Sequence, residues 1–115
     1  MRRNKVTVLA QLRLHPNFVE EGKRDLLRFA NTVVRKEKDC SGIEIVQDFD
    51  EPTQITMIEK WSSRAAYQGP HLQTPHMKAF VEESGKYFDG PARISIGQGT
   101  EIGESDPRGA APYGR

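Results

Sequence analysis

Residues 54–61, QITMIEKW, alternate between the two sides of a strand and constrain the fold more than any other stretch. A period of two predicts a β-strand whose buried face carries Ile55, Met57 and Trp61. Glu59 falls on that same face. A carboxylate in line with three apolar side chains contradicts the pattern, and such residues tend to be functional or paired. We therefore expect Glu59 to pair with a basic side chain or to orient a histidine.

The turn residues 50–53, DEPT, precede this strand and join it to an earlier alternating stretch, so the two strands are predicted to form an antiparallel hairpin. The first strand is identified by the alternation in VTVLAQLRL, and a helix with an apolar stripe follows it. The predicted order is strand, helix, strand, strand, helix, strand, over residues 5–14, 17–38, 43–49, 54–61, 74–85 and 92–96.

Capping residues mark the predicted helix starts. Asn17 with Glu20 three positions later has the capping-box pattern for the first helix. Ser62 or Ser63 is placed to cap a short helix that ends at a Gly-Pro pair. Thr74 is followed by a proline, which is favoured at the first position of a helix.

This order is that of an α+β, ferredoxin-like fold, an antiparallel four-stranded sheet with two helices on one face. The helices leave the other face uncovered, yet Leu9, Val46 and Ile58 direct apolar groups toward it. An exposed apolar patch favours association. We therefore predict a homodimer formed by the two sheet faces.

Composition narrows the class of protein. The chain has 115 residues, with 17 Lys and Arg against 16 Asp and Glu, which favours one small domain and argues against a nucleic-acid partner. No stretch is apolar enough for a membrane span or a signal peptide, and the single cysteine provides neither a disulfide framework nor a zinc cluster. We predict a cytoplasmic protein with a domain over residues 1–98 and a Gly/Pro-rich tail over residues 99–115.

Residues with chemical potential concentrate in one segment. Trp61, the only tryptophan, and two of the three histidines, His71 and His76, lie within 16 residues, together with Tyr67. A concentration of this kind suggests a site.

The run IEKW, followed by SS, AAY and HLQTPHMKAF, resembles the antibiotic biosynthesis monooxygenase family, especially its small bacterial quinol monooxygenases. The resemblance covers roughly residues 5–96. It implies a dimeric α+β barrel that oxidises quinols, phenols or polycyclic aromatic substrates with O₂, without flavin or metal. Such chemistry requires an apolar cavity and a base with a pKa near neutrality, a role that histidine fits best.

The resemblance also indicates candidate site residues. His71 and His76 are the candidates for the base or hydrogen-bond partner, with His71 ranked slightly ahead. Trp61 and Tyr67 are expected to line the pocket against an aromatic substrate. The remaining pocket candidates are Glu59, Met57, Phe29, Met77, Phe80 and Phe88.

The sequence departs from the family pattern at two places. Met57 stands where aromatic-polyketide oxygenases carry an asparagine, and Gly69-Pro70 places His71 one residue further from the tryptophan than in related sequences. Other functions on the same fold remain open: an isomerase of a phosphorylated signalling sugar, or a non-enzymatic small-molecule binder. Haem degradation is disfavoured, since the first strand has no asparagine.

Overall fold

The computed structural model describes residues 5–100 and Ile102, which form a four-stranded antiparallel sheet with α-helices. The strand order is β2-β3-β1-β4. The elements are β1 (Val6–Arg13), α1 (Val19–Lys36), β2 (Cys40–Gln47), β3 (Gln54–Trp61), α2 (Arg64–Gln68), α3 (Pro75–Ser84) and β4 (Arg93–Gly97). The predicted α+β, ferredoxin-like fold is confirmed. Most of the predicted tail, residues 99–115, lies outside the described residues.

Pairing of the two central strands fixes which side chains face the core. Val8 lies opposite Glu59 and Ala10 opposite Met57 in the antiparallel β1–β3 register. Because neighbouring strands keep their alternation in phase, the inner face of the sheet presents a continuous apolar surface interrupted by Glu59. The core divides into two clusters, one around Leu14, Leu26, Ile55 and Met57, the other around Val8, Val33, Cys40, Trp61 and Tyr67. The second cluster lies beside the candidate site.

Helix α1 packs tightly against the end of β1 through Gly22. A Cβ atom at this position would lie 2.4 Å from Cδ2 of Leu14 and 3.2 Å from Cβ of Tyr87. Leu14 is 1% exposed, so its side chain has little room to move. Glycine therefore serves close packing here, although it lowers the intrinsic helix propensity.

The predicted capping box at the start of this helix is wrong. Residues Pro16–Phe18 form a turn of 3-10 helix, in which the Phe18 N–H donates to the His15 carbonyl, and α1 begins only at Val19. Asn17 lies inside that turn, and the cap position, Phe18, makes no side-chain capping bond.

The second strand lies earlier in the chain than predicted. Cys40 already pairs with Trp61, and an irregularity between Cys40 and Gly42 shifts the register of β2. The strand ends because the Asp48 carboxylate accepts hydrogen bonds from the backbone N–H groups of Asp50 and Glu51, at 3.1 and 2.7 Å. Phe49, the last residue of the predicted second strand, is consequently fully exposed in this turn.

Two further features concern the surface. Val81 on α3 is 61% exposed. Within residues 5–100, the helices lack the length and apolarity that crossing a membrane requires.

Candidate active site

Three rings from the predicted site segment pack against one another. The His71 ring centroid lies 4.6 Å from that of Trp61 and 5.3 Å from that of Tyr67, and the Trp61 and Tyr67 centroids are 5.6 Å apart. Trp61 is 0% and His71 3% exposed. The structure thus brings these three predicted residues together, as a closed cluster rather than an open pocket wall.

Local capping places the rings of this cluster. The Ser63 side chain caps α2, accepting a 3.0 Å hydrogen bond from the N–H of Ala66. A 3-10 turn, Pro70–Gln73, then brings His71 back over Trp61. Thr74 donates from Oγ1 to the His71 carbonyl at 2.9 Å and accepts from the N–H of Met77, so it caps α3 and holds the turn at once. The predicted caps of both short helices are confirmed.

Glu37, which is not among the predicted site residues, hydrogen-bonds to both histidines. Its Oε2 atom lies 2.9 Å from Nδ1 of His71 and 2.6 Å from Nε2 of His76, and its Oε1 atom lies 3.1 Å from Nδ1 of His71. The Glu37 side chain is 12% exposed. One carboxylate therefore contacts both candidate bases.

The end of α1 sets the position of Glu37. Glu37 has extended backbone angles, φ −113° and ψ 103°, whereas the helix was predicted to continue to residue 38. Asp39 then fastens the connection to the end of β3, because its carbonyl accepts from the Ser62 N–H and its carboxylate accepts from Ser62 Oγ, at 2.8 and 2.7 Å. These bonds hold Glu37 beside the segment that carries both histidines.

A signal for Glu37 exists in the sequence. It lies in the run RKEKD at the end of a helix, where the macrodipole disfavours a carboxylate and favours the neighbouring lysines. A charged run normally indicates a solvated surface, so the run alone does not predict a functional residue. An acidic residue at a basic helix end is the feature that could have drawn attention to it.

Glu59 is a buried carboxyl group, 5% exposed. It accepts a 2.8 Å hydrogen bond from Nε1 of Trp61. Burial raises the pKa of Glu59, and the Trp61 hydrogen bond and the nearby His71 partly oppose that rise. Arg13 and Arg93 are exposed on the opposite face of the sheet, so neither is the basic partner expected for Glu59.

Two further groups of the cluster resist ionisation. Burial raises the pKa of Tyr67 to about 12 and that of Cys40 to about 11. At neutral pH the Tyr67 phenol therefore keeps its proton and does not serve as a base. The Cys40 thiol stays protonated and is a poor nucleophile.

A cleft of about 160 Å³ opens between α1 and α3, next to the closed cluster. Phe29 and Phe80 form part of its lining, with their rings stacked at a centroid distance of 4.2 Å. His76 also lines the cleft, and its side chain is 17% exposed. The cleft therefore combines two stacked phenyl rings with a histidine that hydrogen-bonds to Glu37.

The other predicted pocket residues lie elsewhere. Met57 belongs to the core, and Met77 borders a separate surface depression on α3. Phe88 contacts Phe80 with a centroid distance of 6.0 Å and pairs with Leu14 through an isolated bridge, so it lies behind the cleft.

Comparison with known proteins identifies the family. The model of the antibiotic biosynthesis monooxygenase family matches residues 5–83. The chain belongs to this family. It is 39% identical over 88 residues to "Probable quinol monooxygenase YgiN" of Escherichia coli K12, an alignment covering 67% of this chain and 82% of that relative.

Solved structures share the family fold. A conserved protein from Methanosarcina mazei Go1 superposes with a TM-score of 0.74 at 21% identity, covering 84% of this chain and 93% of its own. A protein from Caulobacter crescentus CB15 gives 0.77 at 22% identity, covering 87% and 93%. Membership of the antibiotic biosynthesis monooxygenase family supports a monooxygenase-type function.

Proposed function

We propose that this member of the antibiotic biosynthesis monooxygenase family is a cofactor-independent monooxygenase that oxidises a quinol or a related phenol with O₂. The observation that carries the proposal is the cleft between α1 and α3, whose lining includes His76 together with Phe29 and Phe80. The family match and the likeness to a relative named as a quinol monooxygenase support the same chemistry.

The electron balance explains why a quinol suits an enzyme without a redox cofactor. Inserting one oxygen atom of O₂ into the ring and releasing the other as water takes four electrons. A naphthoquinol that becomes a hydroxynaphthoquinone supplies all four: two as the quinol becomes a quinone, and two as a ring C–H becomes C–OH. The protein must remove a phenolic proton and keep water from the intermediates.

His76 is the proposed base. Its side chain is 17% exposed and borders the cleft, whereas His71 is 3% exposed within the aromatic cluster. A histidine accepts a phenolic proton near neutral pH more readily than the other side chains of the lining. His71 then supports the site from behind, together with Trp61 and Tyr67.

A homodimer through the sheet faces forms part of the proposal. Leu9 and Ile58 are directly opposed in the β1–β3 register, on the face away from the helices. Leu9 is 38% and Val46 43% exposed there. Covering these side chains with a second sheet would remove apolar surface from water. Each Å² of apolar surface buried would stabilise the dimer by about 25 cal/mol.

A phosphorylated sugar fits the cleft less well than an uncharged ring. Arg28 lines the cleft, but its Nη1 atom already pairs with Asp25 Oδ1 at 2.8 Å. Asp25 and Glu83 add carboxylates to the same lining. A dianionic phosphate would meet like charges there, so the isomerase alternative is disfavoured.

Oxygen uptake tests the proposed function. The purified full chain is mixed with a reduced naphthoquinone in an oxygen electrode, with EDTA present and no flavin or metal added. We expect uptake above the spontaneous rate, little hydrogen peroxide, and one labelled oxygen atom in the product when ¹⁸O₂ is used.

Paired histidine variants locate the activity. We expect His76→Ala to lower kcat by about 100-fold or more, as loss of a general base does. His15→Ala, in the connection that precedes α1, is the matched control and should retain the wild-type rate. Saturable quinol binding without enzyme-dependent uptake would instead support a non-enzymatic binder.

A further inference from the structure

The contacts of Glu37 determine which nitrogen of each histidine carries a proton. Nδ1 of His71 faces both carboxylate oxygens, at 2.9 and 3.1 Å, and Nε2 of His76 faces Oε2 at 2.6 Å. An ionised carboxylate only accepts hydrogen bonds, so each of these nitrogens must donate. A neutral imidazole has one N–H, so the opposite nitrogen of each ring is then the proton acceptor.

We propose that Glu37 is a positioning residue that fixes His71 as the Nδ1–H tautomer and His76 as the Nε2–H tautomer. His76 is thereby left with Nδ1 as its basic nitrogen. The assignment of the tautomers stands on the contacts alone, and its consequence for catalysis rests on the proposed function. A single carboxylate sets the protonation pattern of two histidines five residues apart.

The location of Glu37 indicates that its hydrogen bonds to His71 and His76 hold its carboxylate in place. It follows the last residue of α1, where the helix dipole disfavours negative charge, and its side chain is only 12% exposed. A partly buried carboxylate needs hydrogen-bond donors to offset its lost hydration. The facing nitrogens of His71 and His76 provide them, as charge-assisted bonds of 2.6 to 3.1 Å.

A glutamine at this position could not reproduce the pattern. Its amide has one acceptor oxygen, and its NH₂ group only donates. The oxygen of Glu37→Gln can accept from His71 or from His76, and the NH₂ group then faces the other ring. To keep a hydrogen bond with position 37, that ring must present its lone pair, and it therefore changes tautomer.

Nitrogen NMR of the histidine rings tests this assignment without any substrate. Long-range ¹H–¹⁵N spectra of the ¹⁵N-labelled full chain are recorded at a pH at which the imidazoles are neutral, and signals are assigned with His71→Ala and His76→Ala. We expect the Nδ1–H form for His71 and the Nε2–H form for His76. A wild-type spectrum with His71 as Nε2–H would overturn the proposal.

Variants at position 37 extend the test to catalysis. In Glu37→Gln at least one of the two rings should change tautomer, and kcat should fall by about 10–100-fold, the range seen when partners that orient metal-ligating histidines are removed. Glu21 is an exposed residue of α1, so Glu21→Gln is the matched control and should leave both tautomers unchanged.

The outcomes separate the tautomer assignment from the proposed function. Unchanged tautomers in Glu37→Gln would contradict the positioning role even if activity fell. Correct wild-type tautomers in a protein without quinol-dependent oxygen uptake would uphold the assignment and refute the proposed function. Should Glu37→Gln fail to fold, Glu37→Asp, whose shorter side chain cannot reach both rings, should release one tautomer, and the wild-type spectrum decides in either case.

Discussion

Nε1 of Trp61 donates a 2.8 Å hydrogen bond to Oε1 of Glu59, two residues earlier on β3. Residues two apart in a strand share a face, so the pair forms within one strand. Both side chains are buried, at 0% and 5% exposure. The carboxyl group that contradicts the apolar pattern of β3 is thus partnered by the indole of the same strand.

Glu59→Gln should change how stability depends on pH. Because burial raises the pKa of Glu59 above 4.5, the folded state holds this proton more tightly than the unfolded chain. The stability linked to the proton is fully present below pH 4.5 and is lost as the pH rises through the raised pKa. Glutamine does not titrate, so Glu59→Gln does not lose this stability as the pH rises. Its amide oxygen still accepts the hydrogen bond from Nε1 of Trp61.

Urea denaturation from pH 4.5 to pH 8 measures the difference for Glu59→Gln. The variant should gain stability relative to the wild type as the pH rises, by about 1.4 kcal/mol for each unit by which the pKa is raised. A constant difference between the two proteins over this range would contradict the pKa assignment.

Trp61→Phe should destabilise the protein chiefly through Glu59. The phenyl ring keeps much of the apolar contact but removes the N–H donor, and a buried acceptor left without its partner costs about 1–3 kcal/mol. The cost should be lower in the Glu59→Gln background, because leaving a neutral amide without its hydrogen-bond donor costs less free energy than leaving a charged carboxylate without one. A double-mutant cycle with a coupling energy below about 0.5 kcal/mol would show that the bond contributes little.

Gly22→Ala should destabilise the protein although alanine favours helices. The added Cβ would lie 2.4 Å from Leu14 Cδ2, and overpacking of this kind costs about 1–3 kcal/mol, partly offset by a propensity gain of about 1 kcal/mol. Gly85→Ala is the control, since its Cβ would meet no atom within 4 Å and the backbone there is right-handed helical. Equal stabilisation by both substitutions in urea denaturation would rule out close packing at Gly22.

Leu9→Lys should weaken the proposed dimer. An ammonium group placed between two apolar sheet faces loses hydration without gaining a partner, so the dimer dissociation constant should rise by about 100-fold or more. Leu27→Lys is the control, because Leu27 is 49% exposed on α1, away from the sheet face. Sedimentation velocity over a concentration series checks both, and a wild-type protein that remains monomeric would contradict the proposed interface.

The sequence by itself determined the elements whose signals are local. The bounds of β3 agree with the predicted 54–61, the Thr74 cap was predicted from its neighbours alone, and Ser63 is one of the two serines predicted to cap α2. Alternation, capping and proline placement depend on residues a few positions apart, so they can be recognised in the sequence without the tertiary structure. From these elements and the family motif, the α+β fold and the segment containing the candidate site could be predicted.

Tertiary structure decided what depends on distant residues. Glu37 contacts His71 and His76 across 34 and 39 positions of sequence, and no local pattern records such a contact. The shift of β2 toward Cys40 depends on pairing with Trp61, and the requirement for glycine at position 22 depends on Leu14. Side-chain identity and local spacing predicted the order of the strands and helices. The hydrogen bonds from Glu37 to the two histidines exist only because folding brings the end of α1 beside the turn before α3.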